Sequence, residues 1–409
     1  MMKPTSVFLL LTITLGGLAA ETQRPLKDYG EPSYSKTSYI IVGKRGWEGR
    51  WFEPNDPPAI RVLDPNSTDL GHVWEWIPSS HIGSIPISVA NCVTGGPSVT
   101  EVKWASNGTQ ISAVIGSAAV VINYTPGTDE DKTIAFATCV DATHTVEVLP
   151  GDLLAVATTG KTQKDGIKIY NMANFPVDNI LNRDPLPIQT ILGFPAVHGL
   201  LWDDTDHKLW AVGNKFAPDG NQPSQALLRG YPYNAQRKHG GWNPINDAAV
   251  ETYNISIPKR LDVEWSGTPY VNWWDGPHDL VGVPHARMML ITTDLDVHVF
   301  DIEKSSWIDN KDVVKQLFQG FRARGKRVGA GGTELPRSDI KAISVNAEGW
   351  VLYVQAIWKD WFGDNISIIG NGTIQHVIDV PQKLYKARWF SEIPGWPTAV
   401  RDVKFDGLP

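Results

Sequence analysis

Three separated stretches restart with one phrase: "HTVEVLPGDLLAVATTG" from His144, "HGLLWDDTDHKLWAVG" from His198 and "HDLVGVPHARMMLITT" from His278. Each is a histidine, a short apolar run, a polar turn and a second apolar run. A supersecondary unit that recurs every few tens of residues restricts the chain to folds that stack or circle like units. Between the restarts, short β-rich runs are separated by Gly, Pro, Asn and Asp, which break strands and turn the chain.

These runs fall into sets. "SYIIVGKR", "AIRVLDPN" and "HVWEWIP" form the first, and "TEVKWAS", "QISAVIGS", "AAVVINYTP" and "TIAFATCV" the second. "HTVEVLP", "DLLAVATTG", "GIKIYNM" and "PIQTILGF" form the third. The fourth holds "HGLLWD", "KLWAVG", "QALLRGYPY" and, after an insertion, "AAVETYNISIP"; the fifth holds "HDLVGVP", "MMLITTDL" and "VHVFDIE". "DIKAISVN", "WVLYVQAIW", "ISIIGN" and "TIQHVIDVP" complete a sixth. Four-strand units in series are the pattern of an all-β β-propeller over residues 37–409, with six blades counted from the starts "YKARWF", "TEVKW", "HTVEV", "HGLLW", "HDLVG" and "DIKAI". The first set lacks one strand, and "YKARWF" near the far end can supply it, so that the chain ends close one blade and leave no open edge. Seven blades result if "AVRDVKFDG" opens another. A pair of β-sandwiches is the rival, but sandwich strands have no reason to restart on a histidine. The single expected helix is "WIDNKDVVKQLFQGFRARG".

The opening "MMKPTSVFLLLTITLGGLAA", residues 1–20, has a lysine, a short apolar stretch and small residues, the pattern of a secretory signal peptide; a polar segment, 21–36, follows. The apolar stretch is too short to span a bilayer. Secretion is therefore expected, with sequons at Asn66, Asn107, Asn123, Asn254, Asn365 and Asn371 as glycosylation sites and Cys92 paired with Cys139. A net charge of −7, without a basic run interleaved with aromatics, argues against a nucleic-acid partner. No membrane partner, a monomer, and no nucleotide cofactor are expected; the glycine-rich "VGAGGTELP" lacks the strand and helix a phosphate loop needs.

In a propeller every blade's first strand lines the central channel in the same direction, so residues just before those strands gather at one rim. His144, His198 and His278 occupy that place in successive units. Asp339 in "RSDIKAIS", Arg388 and Lys386 in "YKARWF", and Glu101 in "TEVKW" fall near it in others. A lone histidine at a strand start commonly just bonds a neighbouring loop; three in register point to a site. Two chemistries suit such a rim. His144, His198, His278 and Asp339 can hold one divalent metal ion that polarises a carbonyl or carboxylate. Alternatively, the histidines act as base and acid while Arg388 and Lys386 neutralise an anionic substrate, as β-elimination from a uronic acid requires. An inverting hydrolase would instead draw two carboxylates from Asp339, Glu101, Asp275 and Asp279.

The sequence holds 17 tryptophans, more than a core of this size demands, and several fall in pairs near strand ends: Trp74 and Trp76, Trp273 and Trp274, Trp358 and Trp361. Their flat faces suit sugar rings or apolar ring systems, and the first two pairs are expected at the ligand. Trp202 and Trp210, at strand spacing, are expected in the core. "DDTDHK" is expected as a solvated hairpin turn.

At "HTVEVLPGDLLAVA", "HGLLWDDTDHKLWAVG", "WDGPHDL", "IKAISV" and "YKARWF" the chain resembles a family of secreted bacterial and fungal β-propellers, a resemblance that implies fold and not activity. In architecture it is also similar to propeller polysaccharide lyases such as oligogalacturonate lyase, although the histidine spacings differ from that enzyme's. What the resemblance implies, with the rim chemistry, is a carbohydrate-active enzyme using lyase-type elimination on uronic-acid glycans. The alternatives are a cyclase or isomerase of fungal secondary metabolism taking an apolar substrate, and a glycan-binding propeller without catalysis.

Overall fold

In the computed structural model the described residues are 39–46, 57–65, 71–83, 85–173, 175, 184–234, 242–265, 268, 270–284, 286–309, 318–319, 321, 327–346, 348–356, 361–370 and 373–390. The expected signal peptide (1–20), the polar segment (21–36), Asn66, Asn371, Trp358, "AVRDVKFDG" and most of the expected helix lie outside them.

Four antiparallel sheets have four strands each. They comprise β4–β7 (Val99–Ala105, Gln110–Ile115, Ala118–Asn123, Ile134–Cys139) and β8–β11 (Thr143–Leu149, Leu153–Thr158, Gly166–Asn171, Gln189–Leu192). The other two are β12–β15 (Gly199–Asp203, Lys208–Asn214, Ala226–Pro232, Glu251–Asn254) and β16–β19 (Pro277–Gly282, Met288–Thr293, Val297–Asp301, Ser306–Ile308). A seven-stranded sheet runs β20-β21-β22-β23-β1-β2-β3, where β1–β3 are Tyr39–Lys44, Ala59–Leu63 and His72–Trp76, and β20–β23 are Ile340–Val345, Val351–Gln355, Gly363–Gly370 and Thr373–Phe390. The long β23 serves both halves of it. Its residues 373–379 pair with β22, and its residues 384–390 pair with β1, as Ile41↔Arg388 and Val42↔Ala387. "YKARWF" is thus the missing strand of the first set.

The sheets form a β-propeller. First strands touch in the order β23, β4, β8, β12, β16, β20 and back to β23. Counted as separate sheets the ring has four blades, and the seven-stranded sheet completes the circle with two first strands, β20 and the second half of β23. Apolar side chains face both neighbours of each sheet, which explains near-continuous apolar runs such as "DLLAVAT" in place of strict alternation. Val114, Val121 and Phe136 pack on Val146, Leu154 and Val156, and Leu153, Ala155 and Ile167 on Leu200, Leu209 and Ala211. The two halves of the seven-stranded sheet likewise face each other, with Ile40, Val42 and Ala387 against Ala342, Leu352 and Val354.

Among the described residues stand three short helices that were not expected from the sequence: α1 (Pro78–His81), α2 (Ile87–Gly95) and α3 (Leu261–Glu264). The β-branched residues of α2 lower its helix propensity. Its buried face, Val89, Ala90 and Val93, packs on the first two blades, and Cys92 bonds Cys139 of β7 as expected. "DDTDHK" is not a purely solvated turn. Asp203 is fully buried and takes both guanidinium nitrogens of Arg287, at 2.8 and 2.9 Å. Trp202 and Trp210 are core residues as expected. Asn365 is fully buried beside Asp364, which leaves no space for a glycan on the folded chain, whereas Asn254 is exposed.

Candidate active site

Each first strand begins with an irregularity. The pairing register skips at Thr100 in β4, His144 in β8, His278 in β16 and Lys341 in β20. The β1 pairing of β23 skips in the same way across Tyr385 and Lys386. At β12, Gly199 pairs with Val212, and the N–H of His198 also reaches the Val212 carbonyl. Such bulges re-aim one side chain out of the pleat and are frequent beside active sites. Two residues ahead of His144, His198 and Lys341 stand Ala142, Ala196 and Asp339, each with φ between 54° and 61°. Non-glycine residues seldom hold this backbone. Gly199 permits one further approach: a Cβ there would lie 2.7 Å from the Leu280 Cβ, so only glycine lets β12 bring His198 this near β16.

Six equivalent residues, Thr100, His144, His198, His278, Lys341 and Tyr385, therefore ring one mouth of the channel, and all six line a cavity of about 600 Å³. The three expected histidines do converge. The rings of His144 and His198 are 4.4 Å apart, those of His198 and His278 5.5 Å, and Tyr385 lies 5.1 Å from His144. Lys341, not Asp339, holds the sixth blade's place.

The ring side chains differ in environment. Burial, reinforced by His278, drives His198 down to about 3, and burial with His198 drives His144 well below the ordinary histidine range. Both are neutral imidazoles at physiological pH. The Nδ1 of His198 donates to the Ala196 carbonyl at 2.8 Å, leaving Nε2 as an acceptor. The Nε2 of His278 faces Asp294 Oδ1 at 2.7 Å and Lys341 Nζ at 2.9 Å. Its Nδ1 stands 3.4 Å from the Tyr385 hydroxyl. Lys341 pairs with Asp339 at 2.9 Å; burial opposes its charge, but Asp339 and Asp294 outweigh it and hold the ammonium above its usual range. Burial likewise opposes ionisation of Asp294, yet His278 and Lys341 bring it down to about 2. Burial raises Tyr385 above the usual phenol range.

Below the ring lies a charged plug. One residue further along, Glu101, Asp279 and Lys386 meet, and two residues beyond those come Lys103 and Arg388. Lys386 Nζ is 2.9 Å from Glu101 and 3.1 Å from Asp279, and it donates to the His198 carbonyl. Arg388 Nη2 is 2.9 Å from Glu101 and 2.7 Å from Asp279. Burial opposes the Arg388 charge, but Asp279 and Glu101 outweigh it and raise the guanidinium; its charge and that of Lys386 lower both carboxyls despite their burial.

Several expected roles are displaced by this geometry. Arg388 and Lys386 are committed to Glu101 and Asp279 beneath the cavity, so neither is free to receive a substrate carboxylate. The same pairing removes Glu101 and Asp279 as a hydrolase couple. Asp275, whose carboxyl burial and the nearby Asp294 push well above the usual range, accepts the Leu295 N–H. The four-ligand metal set does not form. Asp339 is turned to Lys341, the Lys341 ammonium occupies the Nε2 side of His278, and among the described residues no three His, Cys, Asp or Glu side chains converge as a metal requires.

The mouth is aromatic. Trp273 and Trp274 both line the cavity with Tyr270, Trp361 and Phe362. They do so because they stand in a turn before β16, outside any strand that would send consecutive side chains to opposite faces. Lys161 lies 4.8 Å over the Trp273 ring and pairs with Asp219. Trp74 and Trp76 are instead packed between the first two blades, their indole N–H groups on Asp131 and the Lys132 carbonyl. Sequence reading missed Tyr385, Lys341 and Asp294. The first two are found by aligning the starts as T-E-V, H-T-V, H-G-L, H-D-L, K-A-I and Y-K-A. Asp294, in the β17–β18 turn, carries no signal that separates it from an ordinary turn aspartate.

No protein-family model matches the sequence, and no curated protein does. Among solved structures, a chain of the mitotic checkpoint complex is 13% identical with a TM-score of 0.39, over 91% of this chain and 89% of that one. A Lactobacillus plantarum protein is 10% identical with a TM-score of 0.43, over 86% of this chain and 99% of that one. A functionally unknown protein from Desulfotomaculum acetoxidans is 10% identical with a TM-score of 0.41, over 84% and 95%. Likenesses at this level bring no ligand or activity to this chain.

Proposed function

We propose that the channel mouth binds a small, largely apolar or flat neutral molecule and acts on it by proton transfer, as an isomerase or cyclase does. The observation that carries this reading is one cavity joining an aromatic wall to a floor of two neutral imidazoles, a tyrosine hydroxyl, a carboxylate-bound imidazole and an ammonium. Convergent polar groups in an apolar pocket are the usual form of a small-molecule site. Three buried polar atoms of this lining, Thr100 Oγ1, His144 Nδ1 and Asn214 Oδ1, have no protein partner among the described residues. The Asn214 amide is oriented by Nδ2 donation to Ser224 and the Asp275 carbonyl, so its oxygen is held ready for a donor. A ligand bearing hydroxyl or carbonyl groups satisfies such atoms, which otherwise cost free energy.

The cations expected to receive a uronate, Arg388 and Lys386, are spent in the plug, so elimination loses that support, although Lys341 and Lys161 line the cavity. The disulfide is compatible with a secretory compartment, and among the described residues no helix is long and apolar enough to cross a membrane. Quenching of tryptophan fluorescence by a panel of aryl ketones, unsaturated lactones and uronate oligomers tests the reading. Neutral carbonyl compounds are expected to quench, and Trp273→Ala is expected to weaken them about tenfold. Binding confined to uronate oligomers, with release of unsaturated products absorbing in the ultraviolet, would restore elimination.

A further inference from the structure

The three histidines are not equivalent, and the difference assigns the proton-transfer step. Two groups compete for the Nε2 of His278: Asp294 Oδ1, which can only accept, at 2.7 Å, and the Lys341 ammonium, which can only donate, at 2.9 Å. The ammonium already has Asp339 at 2.9 Å, and the shorter contact assigns the Nε2 proton to Asp294. The lone pair then lies on Nδ1, facing the Tyr385 hydroxyl at 3.4 Å. Tyr385 stands on β23 and His278 on β16, and ring closure alone joins them, with Lys341 of β20 between. Neither His144 nor His198 has a carboxylate partner among the described residues.

Resting on the proton-transfer reading above, we propose that Tyr385 is the catalytic residue and that Asp294 and His278 position it. In this step the Tyr385 oxygen removes the proton α to a carbonyl of the bound ligand, and its own proton passes to His278 Nδ1. The C–H bond breaks, and its electron pair moves to the carbonyl oxygen. The negative charge formed there faces the Lys341 ammonium in the same cavity. The new imidazolium is balanced by Asp294. Reversal returns both protons, and no co-reactant is consumed. Buried donors and charges fixed in advance around developing charge are the arrangement that favours such a step.

The test follows solvent deuterium entering the α-carbon of the aryl ketones and unsaturated lactones, by mass spectrometry, with tryptophan quenching as the measure of binding. Tyr385→Phe is expected to lower exchange about 100-fold while affinity changes less than about threefold. Replacement of Tyr385 by 3-fluorotyrosine, nearly isosteric and more acidic, is expected to move the pH profile of exchange downward. The titratable and charged groups facing Tyr385 are His278, Lys341, Asp294, Tyr270, Asp279 and His144, and fluorination changes none of them. Undiminished exchange in Tyr385→Phe, or an unmoved profile in the fluorinated protein, overturns the assignment alone. Binding without exchange in the parent protein overturns the assignment together with the proton-transfer reading.

Discussion

Neutral imidazoles enclosed by protein have a measurable consequence. Folded His198 takes a proton near pH 3, while a histidine in the unfolded chain takes one near 6.5. Between those values the unfolded chain binds the additional proton, so stability rises with pH through the window and falls on acidification. Asp294, held at about 2 in the fold, adds a second loss below the unfolded carboxylate range. Urea midpoints measured from pH 7 to pH 4 should therefore decrease. His198→Gln should flatten the dependence by up to about 1.4 kcal/mol per pH unit; an unchanged slope would show that His198 is not a buried neutral ring. The three histidines were legible because each opens a repeated phrase. Their unequal roles were not, since Asp294 and Tyr385 reach His278 only through tertiary contacts.

Strand spacing also decides what the charged residues do. Lys386 and Arg388, two apart on β23, point to one side with Glu101 and Asp279, and neither cation nor carboxylate is left over. Replacing one member leaves the other charges buried and unpaired, which costs more than the pair contributes. Arg388→Met is expected to lower unfolding stability by about 3–5 kcal/mol, and the double variant with Asp279→Asn by less. Equal losses in guanidinium titrations would argue that packing, not charge, sets the cost. The repeated starts were visible in the sequence, but the bulge that divides rim from plug was not. A one-residue offset changes which layer a side chain enters, so Glu101 and Lys386, each one residue past the rim, lie in the plug. Asp339 stands two residues before the rim residue Lys341, and Arg388 three after the rim residue Tyr385. The short α2 carries β-branched residues that lower helix propensity, and packing on β5–β7 of the second blade overrides that preference.

Around the whole ring, apolar layers are shared between neighbouring sheets, so each blade depends on two others and the circle must close. Closure is made by residues 384–390, which pair with β1 while carrying Tyr385 into the rim and Lys386 and Arg388 into the plug. Ile40 and Val42 on β1, both essentially buried, would face water without that strand, and Glu101 and Asp279 would lose their cations. Two chains that end at Phe390 and at Lys383 differ only in this segment. The longer should unfold in one cooperative transition with a fixed near-ultraviolet dichroism spectrum. The shorter should lose that spectrum and bind a hydrophobic dye, as a compact chain without fixed packing does. Peptide 384–390 added in trans should restore the spectrum with a concentration dependence, because a segment that binds only the folded form shifts the equilibrium by mass action. If the shorter chain unfolds at the same midpoint as the longer one, the ring is held by its blade-to-blade layers alone, and the joining of Tyr385 to His278 would have to survive without the closing strand.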